Sequence, residues 1–199
     1  MKQINLMAQS NNILEFQFTF CATKGRTWPC VHFLSNDNKI TTAEVIDKPV
    51  NVNLNLDSNN NNISIDYFNK REWETIIEQG KIVQDQSLEL VSVHVDGILL
   101  DSWFWTDGVY HPNYFKGFLD QVPDAPTEIK SQLIWHFPGV FVINNVPGGN
   151  MFWDWYQQQR TIRIKEGLVD PTGQLNENLN PMDNESKALI SKIKQLINV

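Results

Sequence analysis

A run of three aromatic residues, Trp103-Phe104-Trp105, lies between two carboxylates, Asp101 and Asp107, with Tyr110 close behind. In an extended strand Trp103 and Trp105 project to one face and Phe104 to the other. Two readings follow. Either the paired indoles plug a core, or they stand open as a platform on which the C–H faces of pyranose rings stack. In the second case Asp101 and Asp107 accept hydrogen bonds from sugar hydroxyls. Trp103, Trp105, Tyr110, Asp101 and Asp107 are therefore the candidate ligand-binding residues.

Other chemistry is thinly represented. The four histidines, His32, His94, His111 and His136, form no metal-ligand spacing with one another or with cysteine. By strand parity His94 lies between inward Val93 and Val95, and His136 between inward Trp135 and Phe137, so both point away from the core. Asp85, Asp96, Asp101, Asp107, Asp120 and Asp124 gather around one irregular region. Paired carboxylates serve glycoside hydrolysis or hold Ca²⁺; the plainer reading is a solvated loop surface. There is no Gly-rich phosphate loop, no Gly-x-Ser-x-Gly and no His-Glu-x-x-His. No catalytic residue and no metal ligand is nominated.

The elements that must position these residues read mainly as strands. Leu14, Phe16, Phe18 and Phe20 alternate with polar residues, as do Val50, Val52, Leu54 and Leu56, then Ile63, Ile65 and Tyr67. Each segment is a half-buried strand with one wet face, and residues 57 to 62 between the last two read as a hairpin loop. Cys30 to Leu34 and Glu44 to Ile46 are shorter strands. Asp96-Gly97 between Leu88–Val95 and Ile98–Leu100 signals a two-residue hairpin, whose central residues need positive φ. Leu133, Trp135 and Phe137 give another strand, and Val140 to Ile143 follow. Residues 70 to 84 suit one or two helical turns or an ordered loop, and residues 101 to 130 form an irregular excursion. The fold class is all-β: an antiparallel, jelly-roll-like β-sandwich over residues 13 to 145.

Residues 146 to 199 form a C-terminal extension. Phe152 to Arg160 suits a short helix that packs two tryptophans on the sandwich, and residues 165 to 182 read as a linker. From Asp183 an amphipathic helix over 184 to 198 gathers Leu189, Ile190, Ile193, Leu196 and Ile197 into one stripe. That stripe is buried either in its own domain or against a partner, and it is the candidate partner-binding surface.

Composition excludes some partners. Of 199 residues, 16 are Lys or Arg and 23 Asp or Glu, a formal charge of −7. A nucleic-acid binder needs clustered cations, as does docking on an anionic membrane. No run of about 18 apolar residues is present, and the first ten residues lack the apolar stretch of a secretory signal. Cys21 and Cys30 are too few for a disulfide framework and read as two buried thiols, or as one bridge if they lie across a hairpin.

Ile63 to Asn69, followed after an insert by Asp85-Gln86-Ser87-Leu88 and a strand reaching Val95-Asp96-Gly97, resembles the small Ca²⁺-dependent xylan-binding modules. Their pattern is a strand ending in Phe-x-Asn, a loop, Asp-x-x-Leu and a strand ending at a Val-x-Gly hairpin. Phe68-Asn69, Asp85, Leu88 and Asp96-Gly97 carry the match. Similar sandwiches occur in structural proteins of marine bacteriophages. Asn69-Lys70 stands here where the family has an acidic pair. A cation replaces a ligand carboxylate, so the fold is carried over and the metal is not; no cofactor is expected. The resemblance implies a non-catalytic virion component, in the tail or on the capsid surface, synthesised in a host cytoplasm. Its partners are other virion proteins or itself, and a cell-surface polysaccharide. A free-standing carbohydrate-binding protein is the alternative, and a glycoside hydrolase the third.

Overall fold

The computed structural model of the chain describes residues 13–56, 61–79, 81–130, 133–149, 151–170 and 172. Two antiparallel sheets face each other. The first has the order β12-β8-β1-β4, with β9 paired to β8; the second has the order β11-β10-β13-β5-β2-β3. Their strands are β1 (Leu14–Thr23), β2 (Cys30–Ser35), β3 (Asn38–Glu44), β4 (Val50–Leu56), β5 (Asn61–Tyr67), β8 (Ser87–Val95), β9 (Ile98–Leu99), β10 (Val109–Pro112), β11 (Ile129–Lys130), β12 (Ile134–Trp135) and β13 (Gly139–Val146). A separate hairpin joins β6 (Ile76–Glu78) to β7 (Lys81–Gln84). The described residues also include three α-helices: α1 (Trp103–Thr106), α2 (Lys116–Leu119) and α3 (Met151–Lys165).

Alternation decides which side chains meet between the sheets. Phe16, Phe18 and Phe20 of β1 are fully buried, as are Val31 and Phe33 of β2, Ile63, Ile65 and Tyr67 of β5, and Phe141 of β13. The intervening residues of β1 and β4 face water, where Gln17 bonds Asn53 and Thr19 bonds Asn51 side chain to side chain. Trp135 closes one end of the core, stacked parallel on Tyr110 with ring centroids 5.2 Å apart. Each fully buried large side chain contributes roughly 1.5–3 kcal/mol. The sandwich is thus held by matched alternation in both sheets.

The Asp96-Gly97 turn is as expected. Asp96 and Gly97 have φ of 49° and 77°, and β8 pairs with β9 across them. Other expectations need correction. β4 and β5 belong to different sheets, so they are not the two arms of a hairpin. The third strand ends at Glu44 instead of beginning there. Residues 70 to 84 form one 3₁₀ turn (Glu72–Glu74) and then the β6–β7 hairpin. Regular pairing of the Trp135 segment is confined to Ile134–Trp135. Cys21 and Cys30 are free and half-buried, one in each sheet.

α3 packs against the sandwich. Phe152, at the start of the helix, is fully buried and meets Phe16 edge-on at 5.4 Å. One turn later Tyr156 is also buried, whereas Trp153 and Trp155 are half-buried at the margins. Phe152 and Tyr156 are the buried centre of the seam, and Trp153 and Trp155 pack against the core at its margins, Trp155 meeting Trp103 and Phe104 with ring centroids 6.2 and 6.3 Å apart. Asp154 in the first turn and Arg163 and Lys165 in the last suit the helix dipole.

Candidate functional site

The Trp103-Phe104-Trp105 run is helical, and all three rings are buried, as is Tyr110. The expectation of an open stacking platform on Trp103, Trp105 and Tyr110 is corrected by this burial. Trp103 stacks on Tyr156 of α3, with centroids 5.0 Å apart, and the Arg163 guanidinium also lies over its ring at 4.4 Å. Tyr110 donates its hydroxyl to the Phe137 carbonyl inside the core. The flanking acids are engaged too. Asp101 Oδ2 accepts from Arg160 Nε at 2.7 Å and from Trp103 Nε1 at 3.3 Å, and Asp107 pairs with Arg163. The Asp101 N–H donates to the Tyr156 hydroxyl at 2.6 Å, and burial pushes that phenol up to about 12. Rings and carboxylates that resemble a sugar site in sequence are the docking site of α3. Arg160 and Arg163 supply the charges that a ligand would otherwise meet.

The other acids are likewise dispersed. Asp96 holds its turn by accepting from the Glu15 N–H, and Asp120 pairs with Lys116 one turn earlier. The stripe Leu189, Ile190, Ile193, Leu196 and Ile197 lies outside the described residues.

Chemistry concentrates instead where the second sheet meets the 70–75 and 136–138 loops. Lys70 is 1% exposed, and its ammonium donates three hydrogen bonds: to Asp85 Oδ1 (2.5 Å), Gln86 O (2.7 Å) and His136 O (2.6 Å). Three acceptors require three N–H donors, which only the charged form of lysine has. Burial pushes the Lys70 ammonium down, opposed by the Asp85 charge. Burial also pushes the Asp85 carboxyl up. Hydrogen bonds from His136, Lys70 and Thr75, with the Lys70 charge, outweigh that and hold it below its ordinary value. Thr75 Oγ1 donates to Asp85 at 2.6 Å, and His136 Nδ1 lies 3.2 Å from its other oxygen.

A buried polar belt continues from this centre. Gln86, fully buried, accepts from the Tyr67 hydroxyl at 2.8 Å and donates to Thr27 O at 2.9 Å. Glu74, 3% exposed, accepts from the Arg26 and Thr27 N–H groups at 2.6 and 2.9 Å. Gly25 lets these chains approach, since a Cβ there would stand 2.6 Å from the Glu74 carbonyl and 2.9 Å from Gln86 Cβ. The belt ties three loops to the sandwich end.

Two hollows open beside it. One, of about 230 Å³, has Asp85 and His136 among walls of Ile77, Ile82, Phe115, Phe118 and Phe137. The other, of about 440 Å³, is more polar and runs over the outer face of the second sheet. There the register sets His32, Asp66, Val140 and His111 in one row across β2, β5, β13 and β10. The last three line the cleft, with Arg71, Trp73, Asn113 and Tyr114 around them. Trp73 is 59% exposed, an open indole beside a carboxylate, a guanidinium and an imidazole. Its place in a short polar segment gave no periodic signal. The arrangement can hold a ligand that combines apolar faces with hydroxyls.

The calcium of the resembled family does not fit this end of the sandwich. Ca²⁺ takes about six to eight oxygens at roughly 2.3–2.6 Å. Here the point where three oxygens converge is already filled by Lys70 Nζ, and among the described residues no three His, Cys, Asp or Glu side chains gather as a metal set.

The chain is similar to vCBM60. In complex with galactobiose, that protein aligns over 66% of this chain and 99% of its own, with a TM-score of 0.44 and 10% identity. Its selenomethionine form, linked by circular permutation to a second family of calcium-dependent carbohydrate binding modules, aligns over 66% of this chain and 91% of its own, with a TM-score of 0.45 and 9% identity. No family model matches the sequence, and no curated protein does either.

Proposed function

We propose that this chain is a non-catalytic carbohydrate-binding protein of a virion surface, and that the cleft over β5, β13 and β10 seats the glycan. The observation that carries the glycan seat is the open indole of Trp73 in the same cleft as the polar Asp66 and His111. Sugars present C–H faces that stack on indoles and hydroxyls that bond to polar groups, and about 440 Å³ suits a small ligand. Asp66 supplies an acceptor; burial pushes its carboxyl up, and His32 and Lys39 pull it back. His111, half exposed, sits at the opposite side of the row. Glu72, the cleft's other acid, accepts the Gly117 N–H at 3.3 Å. The virion placement rests on the resemblance of residues 13 to 145 to phage structural proteins.

A glycan array followed by calorimetry tests the seat. Binding is expected in the wild type and at least about tenfold weaker in Trp73→Ala, roughly 1.4 kcal/mol. No hit on a broad array, or equal affinity in a folded Trp73→Ala, overturns it. Release of reducing ends from any polysaccharide overturns the non-catalytic part. Mass spectrometry of purified particles tests the virion placement, and absence of the chain there removes it.

A further inference from the structure

The Lys70 centre invites a question that glycan binding leaves open: why a sandwich end built from carbonyls and a carboxylate carries a buried lysine. Asp85 Oδ1, Gln86 O and His136 O belong to two separated stretches of chain, and all converge on one point within 2.5–2.7 Å. Convergent oxygens of this kind repel one another unless a cation sits among them. Asp85 also accepts from Thr75, whose hydroxyl oxygen is thereby drawn beside the same carboxylate.

We infer that Lys70 is a tethered cation which does here the structural work of a bound metal, and that the oxygens around it form a latent divalent-cation site exposed when the lysine side chain is removed or reversed. Lys70 neutralises Asp85 and satisfies the Gln86 and His136 carbonyls without recruiting an ion from solution. The wild-type fold is consequently independent of calcium. Replacing Lys70 with aspartate takes away the resident charge and adds a second carboxylate at the same centre. Two carboxylates, two carbonyls and the Thr75 hydroxyl, completed by water, then make up the hard oxygen set that Ca²⁺ prefers.

The test is thermal unfolding of the full chain in EDTA and in rising CaCl₂, with no sugar present. Its result therefore stands apart from that of the glycan experiments. For the wild type, EDTA and 10 mM CaCl₂ are expected to give the same Tm. For Lys70→Asp, Tm is expected to be depressed in EDTA and to rise with calcium, half of the rise falling at roughly 0.1–1 mM. Lys70→Met, which fills the space without charge or donors, is expected to be destabilised and unresponsive. A wild-type Tm that moves with calcium or EDTA overturns the inference, because a metal would then bind with the lysine in place. A folded Lys70→Asp indifferent to calcium overturns it as well. If Lys70→Asp does not fold in EDTA, the same titration is made on protein expressed and refolded in 10 mM CaCl₂, with Lys70→Ala in parallel. Failure of both to fold there counts against the inference.

Discussion

Trp103 and Trp73 are the same residue type beside the same kinds of neighbour, acids and further aromatics, yet one is 1% exposed and the other 59%. Around Trp103 the chain supplies its own complement. Tyr156, Arg160 and Arg163 recur along α3 at spacings of four and three, so one helical face delivers a ring and two cations to the 101–107 segment. Around Trp73 no helix returns among the described residues; its chain neighbour Glu74 is turned inward to Arg26 and Thr27, and the indole stays outside. A cluster of rings and carboxylates is therefore no sign of a ligand surface until the rest of the chain has been searched for the residues that would cover it. That contrast can be broken or sharpened at four points.

The largest effect is expected at Trp103. Trp103→Ala removes a buried indole together with its stack on Tyr156 and its contact with Arg163. Such truncations cost about 3–5 kcal/mol. Urea unfolding should show the loss, and glycan affinity per folded molecule should be unchanged. A stable Trp103→Ala protein that no longer binds sugar would reverse the assignment of the two regions.

Next comes the ion pair that locks the helix. Arg160→Ala leaves the Asp101 carboxylate, whose side chain is 19% exposed, without its guanidinium partner. A loss of about 1–3 kcal/mol is expected, reduced by solvent screening at the partly open Arg160. In a double-mutant cycle Asp101→Asn should recover part of it. Strict additivity of the two changes would mean that the Arg160–Asp101 pair contributes nothing to holding α3.

A smaller effect separates the two regions by pH. Asp85 titrates below its ordinary value of 3.8 when folded. Its ionised form therefore stabilises the fold above that value, and the contribution is lost as pH falls through the lower, folded value. Asp85→Asn should be destabilised near neutrality and should show a flatter decline of Tm with acid than the wild type. Parallel acid limbs in the two proteins would remove Asp85 from the account.

The sandwich was legible because alternation is a local signal. Phe16-x-Phe18-x-Phe20 and Val52-x-Leu54-x-Leu56 state their own faces, and Asp96-Gly97 states its turn. What was not legible depends on pairing between distant segments. Nothing between Val50 and Tyr67 tells that β4 and β5 go to opposite sheets, because both alternate alike and a polar link serves a hairpin or a crossing equally well. Trp103 and Trp105 suit a strand as well as a helix, because three aromatics in a row fit either period. The deciding partner, Arg163, stands 60 positions later in a helix whose own pattern drew attention to its tryptophans. Lys70 was visible as a departure from the resembled family, and its sequence said that a charge had changed sign. Only the fold brings the Gln86 and His136 carbonyls to it.

The smallest expected effect on stability is at Trp73, and it sharpens the comparison most. An indole 59% exposed has left little area to lose on truncation, and substitutions at such places usually fall within about 0.5 kcal/mol of zero. Trp73→Ala should therefore unfold at the wild-type urea midpoint while its glycan affinity drops, the reverse of the pattern expected at Trp103. Neighbouring Glu74 gives the control. Its side chain is buried and accepts three hydrogen bonds from Arg26 and Thr27, so Glu74→Ala should lower the midpoint clearly although it lies one residue away. If Trp73→Ala costs as much as Glu74→Ala, the indole is a structural lid on the belt beneath it. The cleft would then lose the open aromatic face on which its reading as a glycan seat depends.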